Sequence, residues 1–242
     1  MAGYRSLIDC IRERHPEVDD PVRAIGQGRV LVDGRVVLNP NSRVRRGASI
    51  SIRKQTPLRG EAKLWAALQA FPVQVSGRVA LDAGSSAGGF VRVLLEHGAT
   101  RVYAVDAGHG QLLGSLRQDP RVVNLEGTNI SALDRSIITD AVDVVTLDLS
   151  YLSLASAIGY LENVPLAKAA SLLALVKPMF ELGLPRPPVD DAKLERACLL
   201  AEAAIAAAGW SIRGRARSPV QGSRGAVEFW IWAARADGDR LS

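Results

Sequence analysis

From Val79 onward, short apolar runs alternate with stretches of helical spacing. Val79–Ala83, Arg101–Asp106, Arg121–Leu125, Val142–Asp148 and Ser171–Lys177 read as strands; Gly89–His97, Gln111–Arg117, Leu152–Glu162 and Asp191–Ala208 read as helices. Strands that are apolar along their whole length are buried on both faces, and strands separated by helices pair in parallel. The alternation therefore predicts an α/β chain built on a Rossmann-like parallel sheet. Ser211–Ala216 and Ala226–Ala234 follow each other with no helix between them, so the last strand is expected to insert antiparallel. Ahead of the first strand, Glu61–Ala70 carries apolar residues at Leu64, Ala67 and Leu68, the spacing of one helix face.

The segment before this core has a different character. Ser6–Glu13 reads as a helix, and a second is expected to end near Gly28. Arg29–Val32 and Arg35–Leu38 flank Asp33-Gly34, a strong hairpin signal. A basic turn, Arg43–Gly47, then leads into a strand over Ala48–Lys54. The sequence predicts a small α+β domain over residues 1–54, a linker over 55–60 around Pro57, Arg59 and Gly60, and the large domain over 61–242.

Charge separates the two parts. The net charge is +5, yet residues 1–60 hold 12 Lys and Arg against 6 Asp and Glu, and the remainder holds 18 against 19. A basic appendage on a near-neutral body fits either a polyanion-binding module or a solubilising charged face. Arg29, Arg35, Arg43, Arg45 and Arg46 cluster around the hairpin and are the candidate RNA contacts.

Several classes are disfavoured by the bulk properties. Lys168 and Lys177 bracket the most hydrophobic stretch, leaving no apolar run near the roughly 20 residues needed to span a bilayer. Met1–Arg14 lacks the apolar centre of a secretion signal, so the expected compartment is the cytoplasm. Cys10 and Cys198 are far apart with no His nearby, which makes neither a metal site nor a disulfide framework; both are expected to be reduced and buried.

In an open parallel sheet, ligands bind at the carboxyl ends of the strands where strand order reverses. The first strand of the large domain ends in Asp82-Ala83-Gly84-Ser85-Ser86-Ala87-Gly88-Gly89-Phe90, and the next ends in Asp106, about 20 residues on. Glycines let backbone approach a ligand closely, and an acidic residue at the second strand end accepts hydrogen bonds from ribose hydroxyls. The loop lacks the G-x-G-x-x-G spacing that accommodates a pyrophosphate, and Asp82 would repel one. S-adenosylmethionine, with no phosphate and with a cationic amino group and sulfonium, suits it better. An ordinary glycine-rich turn is the plainer reading. Asp82, Gly84, Ser85, Ser86, Gly88, Gly89, Phe90 and Asp106 are the candidate cofactor contacts, completed by Asn129 and Asp148.

Three further polar residues end or interrupt apolar runs: Asp148, Lys177 and Glu228. A lysine closing a buried strand is costly unless paired or functional, and its ammonium would lower the pKa of a hydroxyl poised to attack a methyl group. A structural salt bridge is the commoner fate of one such lysine.

Taken together, Arg59-Gly60-Glu61-Ala62-Lys63-Leu64, Leu81–Phe90, Val102–Leu112, Asp148–Leu154 and Val176-Lys177-Pro178-Met179-Phe180-Glu181 resemble the TlyA-like branch of the FtsJ-type ribose methyltransferases. The resemblance covers most of the chain. It implies a class I methyltransferase sheet fused to a small N-terminal RNA-binding domain, with S-adenosylmethionine as cofactor and ribose 2′-hydroxyls of ribosomal RNA as target. Ribosomal RNA or a ribosomal subunit would be the partner. It also implies a catalytic tetrad of Lys63, Asp148, Lys177 and Glu228, in which Lys177, oriented by Asp148 and Glu228, activates the hydroxyl. The chain departs from the family at Met179, at the proline-rich Leu184-Pro185-Arg186-Pro187-Pro188 and at Asp19-Asp20-Pro21. A non-catalytic RNA-binding or ribosome-assembly factor on the same fold is the alternative. Some relatives carry a haemolysin label; the lack of a spanning segment or strongly amphipathic basic helix weighs against a membrane-active protein.

Overall fold

The structure is a computed structural model and describes residues 3–26, 28–53 and 58–235. The described residues fall into two compact units, those within 1–57 with 114–119 and those within 58–113 and 120–242.

The first unit opens on a short strand, β1 (Tyr4–Ser6), which runs directly into α1 (Leu7–Arg14). Ser6 caps that helix by accepting from Asp9 N–H at 3.4 Å. After α2 (Pro21–Gly26) come β2 (Val30–Val32), β3 (Arg35–Val36), β4 (Arg43–Arg45) and β5 (Ile50–Ile52). Asp33 and Gly34 both take positive φ, 48° and 79°, as the tightest hairpin turn requires. β2 lies between β3 and β5, while β1 and β4 form a separate two-stranded ribbon. The basic stretch expected as a turn is thus a strand at Arg43–Arg45. Backbone pairing with Tyr4–Ser6 and burial of Val44 decide this, and three residues are too few to show alternation. Leu7, Ile11, Ile25, Val30 and Val44 make the small core, which also holds Cys10.

The second unit begins with α3 (Arg59–Ala70). Arg59 and Gly60, expected within the linker, are its first turn; residues 55–57 lie outside the described residues. Glu61 fixes the start by accepting from Leu58 N–H at 3.2 Å and pairing with the buried Arg92. The sheet then forms from β6 (Val79–Ala83), β7 (Arg101–Asp106), β8 (Val122–Glu126), β9 (Val142–Leu147), β10 (Leu166–Val176), β11 (Trp210–Arg217) and β12 (Phe229–Arg235). Their order is β11-β12-β10-β9-β6-β7-β8, with β6 to β10 parallel and β12 antiparallel to both neighbours. This is the expected Rossmann-like, mostly parallel sheet, with strand order reversing between β6 and β9.

Helices α4 (Gly89–Glu96), α6 (Leu154–Ile158), α7 (Pro178–Glu181) and α8 (Asp191–Ala207) complete the second unit. Leu81, Val145, Leu147, Leu172, Ala201, Ile205 and Ile231 are among the residues of the main core, and Cys198 is buried there as a free thiol. The helix expected over 111–117 is shortened to α5 (Gly114–Arg117), because Glu126 Oε1 takes the amides of Gln111 and Leu112, at 2.6 and 2.9 Å. That over 152–162 is α6 followed by a 3₁₀ segment, Gly159–Asn163. β10 starts at Leu166, earlier than expected, with a register shift between Leu166 and Ser171. Among the described residues no helix is long and apolar enough to cross a membrane.

Candidate active site

Sheet register carries the polar strand ends to one place. Ala83 pairs with Leu147 across β6 and β9, Ala174 with Leu147 across β10 and β9, and Val176 with Phe229 across β10 and β12. The next residues in line, Gly84, Asp148, Lys177 and Glu228, therefore leave the sheet along one edge. Glu228 stands just before β12, not inside a strand over 226–234 as expected. Since β12 runs antiparallel, its start faces the same way as the ends of the parallel strands.

These residues line a cavity of about 840 Å³. One part of its wall is the β6–α4 loop with Asp106, Thr128 and Ile130. The other is formed by Lys63, Asp148, Ser150, Tyr151, Lys177, Met179, Phe180, Pro187, Pro188, Arg224 and Glu228. The volume falls in the usual range for small-molecule sites, roughly 300–1,000 Å³.

In the second part, four charges form a chain. Lys63 Nζ lies 2.6 Å from Glu228 Oε2 and 3.9 Å from Asp148 Oδ2, while Lys177 Nζ lies 2.5 Å from Asp148 Oδ1. Lys63 and Glu228 are 5% and 4% exposed, so each charge depends on the other for compensation. Lys177 is less enclosed and donates to Ser150 Oγ at 3.1 Å. Asp148 Oδ1 and Glu228 Oε2 meet the ammonium groups as ion pairs outside hydrogen-bonding directions, which leaves both oxygens acceptor capacity. All four expected residues come together, with one correction to their pairing. Lys177 is oriented by Asp148 and Ser150; Glu228 is the partner of Lys63.

The glycine loop is shaped for close approach. Gly84 takes φ 92°, and a Cβ there would overlap the carbonyl of Asp148. Gly88, also at φ 92°, caps α4 and does not line the cavity. Ser85 lines the cavity with a buried hydroxyl that has no partner among the described residues, an open donor and acceptor for a ligand. Asp106 accepts from Ser86 N–H at 2.8 Å and from Gly108 N–H at 2.7 Å. One bond to each oxygen leaves lone pairs for a pair of hydroxyls. This donor set, with acidic groups at Asp106 and Asp148, fits a cofactor that is a nucleoside with a cationic tail. Nearby, Tyr151 is half exposed, and burial followed by the charge of Asp106 pushes its phenol pKa up.

Two more expected cofactor contacts, besides Gly88, lie outside the cavity wall. Asp82 is fully buried under the loop, where its Oδ1 accepts from Thr146 Oγ at 2.7 Å. Burial, then the neighbouring Asp148 and Asp106, push its pKa to about 7 against the Thr146 hydrogen bond. Asn129 caps a 3₁₀ turn through Ser131 N–H at 3.0 Å, and its neighbours Thr128 and Ile130 line the cavity instead. Sequence reasoning also missed Ser150 and Arg224. Ser150 stands two residues past Asp148, a spacing that signals a shared strand end.

In the first unit, Arg35, Arg43, Arg45 and Arg46 are exposed, and Arg29 is half-buried. Arg29 Nε donates to the Arg53 carbonyl at 3.2 Å, Arg43 to the Tyr4 carbonyl at 3.1 Å, and Arg45 pairs with Asp33 at 3.3 Å. Arg43 and Arg45 share one face of β4, opposite the buried Val44.

A family model described as FtsJ-like methyltransferase matches residues 57–235. Over 217 residues the chain is 41% identical to the 16S/23S rRNA (cytidine-2′-O)-methyltransferase TlyA of Mycobacterium tuberculosis, covering 86% of this chain and 81% of that protein. It is 31% identical to Hemolysin A of Brachyspira hyodysenteriae, covering 84% and 87%. The solved structure of a hemolysin-named protein from Streptococcus thermophilus superposes with a TM-score of 0.71 at 27% identity, covering 98% of this chain and 90% of that one.

Proposed function

The chain belongs to the FtsJ-like methyltransferase family, and on that premise we propose that it methylates ribose 2′-hydroxyls of ribosomal RNA, using S-adenosylmethionine. The observation that carries this reading is the chain of Lys63, Glu228, Asp148 and Lys177 in the cavity whose other wall is the glycine loop. The 41% identity to an rRNA cytidine-2′-O-methyltransferase supports the choice of substrate.

Ser85, Ser86, Asp106 and the backbone from Gly84 to Ala87 would hold the cofactor, which supplies an electrophilic methyl group on a sulfonium. Lys177 acts on the hydroxyl: its ammonium, fixed by Asp148 and Ser150, lowers the pKa of the 2′-hydroxyl, whose proton passes to water, and stabilises the negative charge that grows on its oxygen. Asp148 holds that lysine and, through its second oxygen, faces Lys63. Lys63 and Glu228, locked together and buried, position the ribose. Positioned groups of this kind contribute roughly 10²–10⁴-fold to rate. The arginines of the first unit bind RNA phosphates, the sequence-independent part of the affinity.

The test is incubation of the purified protein with labelled S-adenosylmethionine and ribosomal subunits, alongside calorimetric binding of the cofactor. Transfer of label to ribosomal RNA is expected. Cofactor binding without transfer to either subunit would favour a non-catalytic RNA-binding factor.

A further inference from the structure

Between β11 and β12 the chain makes a closed loop against the tetrad. Ser218 N–H donates to the Glu228 carbonyl at 2.9 Å, Gly222 N–H to the Ala226 carbonyl at 2.8 Å, and Ala226 N–H to the Ser223 carbonyl at 3.2 Å. Gly222 is packed so closely that a Cβ there would overlap the Glu228 carboxylate. The loop therefore has a fixed place beside Glu228.

At its tip, Arg224 adopts φ 56° and ψ 28°, the left-handed region that arginine disfavours and glycine or asparagine enters readily. An unfavourable backbone held at a functional cleft points to a use for the side chain. Arg224 is exposed and lines the cavity. It has no carboxylate partner among the described residues, whereas Arg78, Arg92, Arg101 and Arg215 of the same unit are each paired with an Asp or Glu. The two lysines of the tetrad are already compensated by Asp148 and Glu228. Arg224 thus brings an uncompensated positive charge to the wall.

We propose that Arg224 binds a phosphate of the substrate RNA beside the nucleotide to be methylated, an inference that rests on the ribose-methylation reading above. A guanidinium presents paired donors that match phosphate oxygens, and S-adenosylmethionine carries no phosphate. Arg224 is then a substrate-positioning residue on the Glu228 side of the cavity.

The test compares the full chain with Arg224→Gly and Arg224→Lys. Glycine suits the left-handed backbone, so Arg224→Gly removes the guanidinium without disturbing the loop. Affinity for ribosomal RNA is measured across a series of KCl concentrations, with S-adenosylhomocysteine binding by calorimetry and methyl transfer on the same samples. Losing one charged phosphate contact should weaken RNA binding by roughly tenfold at low salt. It should also lower the slope of log K against log [KCl] by about 0.7–0.9. Cofactor affinity should be unchanged, and Arg224→Lys should keep the slope. An Arg224→Gly protein with wild-type RNA affinity and slope would overturn the proposal, as would parallel loss of cofactor binding and thermal stability. A wild type that binds RNA but transfers no methyl group sinks the methylation reading alone, because the salt slope still reports on Arg224. A wild type that binds no RNA sinks both.

Discussion

Replacing Glu228 with leucine would leave the Lys63 ammonium buried without its anion. The pair is 2.6 Å apart, with Lys63 5% and Glu228 4% exposed, so water reaches neither charge freely. Removing one member of such a pair costs about 3–5 kcal/mol. Asp148 Oδ2, 3.9 Å from Lys63, gives partial compensation and puts the expected cost near the lower end, about 3 kcal/mol. For a domain of this size that corresponds to a fall in Tm of roughly 6–12 °C. The double variant Lys63→Met with Glu228→Leu replaces the buried pair by apolar side chains, an exchange that is often neutral or stabilising. It should recover most of the melting temperature and none of the methyl transfer. Thermal denaturation and methyl-transfer assays on the three proteins read this directly. A Glu228→Leu protein melting within about 2 °C of wild type would refute the burial argument, and a double variant that turns over would refute the role of the pair in catalysis.

Three more outcomes follow from the same geometry. Asp106→Ala should weaken cofactor binding in calorimetry, because it removes the acceptor at the β7 end and frees the Ser86 and Gly108 amides that shape the loop; an unchanged affinity would move the cofactor elsewhere. Asp82 has a folded-state pKa near 7, above its ordinary value of 3.8. The folded protein therefore holds a proton that the unfolded chain has lost, and stability should fall as pH rises from about 4 to about 7. Asp82→Asn should flatten that part of the pH profile measured by denaturant unfolding; a profile as steep as wild type would count against the buried neutral carboxyl. RNA binding by the first unit should weaken with salt, and Arg35→Ala with Arg46→Ala should reduce the salt slope, since neither exposed side chain has a carboxylate partner among the described residues; a slope that stays the same would exclude these two.

Much of this arrangement is legible in the sequence for a definite reason. Strands buried on both faces are apolar throughout, so a polar residue at a strand end stands out, and parallel strands bring their ends to one edge. Asp148, Lys177 and Asp106 are found this way. Pairing is less legible. Whether Glu228 meets Lys63 or Lys177 depends on the register of an antiparallel strand and on the helix packed beside it, neither of which leaves a local signature. Asp82 and Asn129 illustrate another limit, because a polar residue beside a glycine loop or after a strand can serve the fold. Thr146 and Ser131 claim those two side chains. Short pieces fail for lack of length: β1 and β4 have three residues each, too few for a period. The helix expected from Gln111 loses its first turn to Glu126, a partner 15 residues away.

Lys177, held by Asp148, is the residue expected to act on the ribose hydroxyl. The most direct measurement is to map the labelled product on ribosomal RNA after reaction with the wild type and with Lys177→Ala, checking the cofactor affinity and melting temperature of both. With the wild type the expected product is a 2′-O-methyl group, recognised by resistance of the adjacent phosphodiester to alkali. With Lys177→Ala no product, near-normal cofactor binding and little loss of stability are expected. A methyl group on a base, or normal turnover by a stable Lys177→Ala protein, would contradict this role of Lys177.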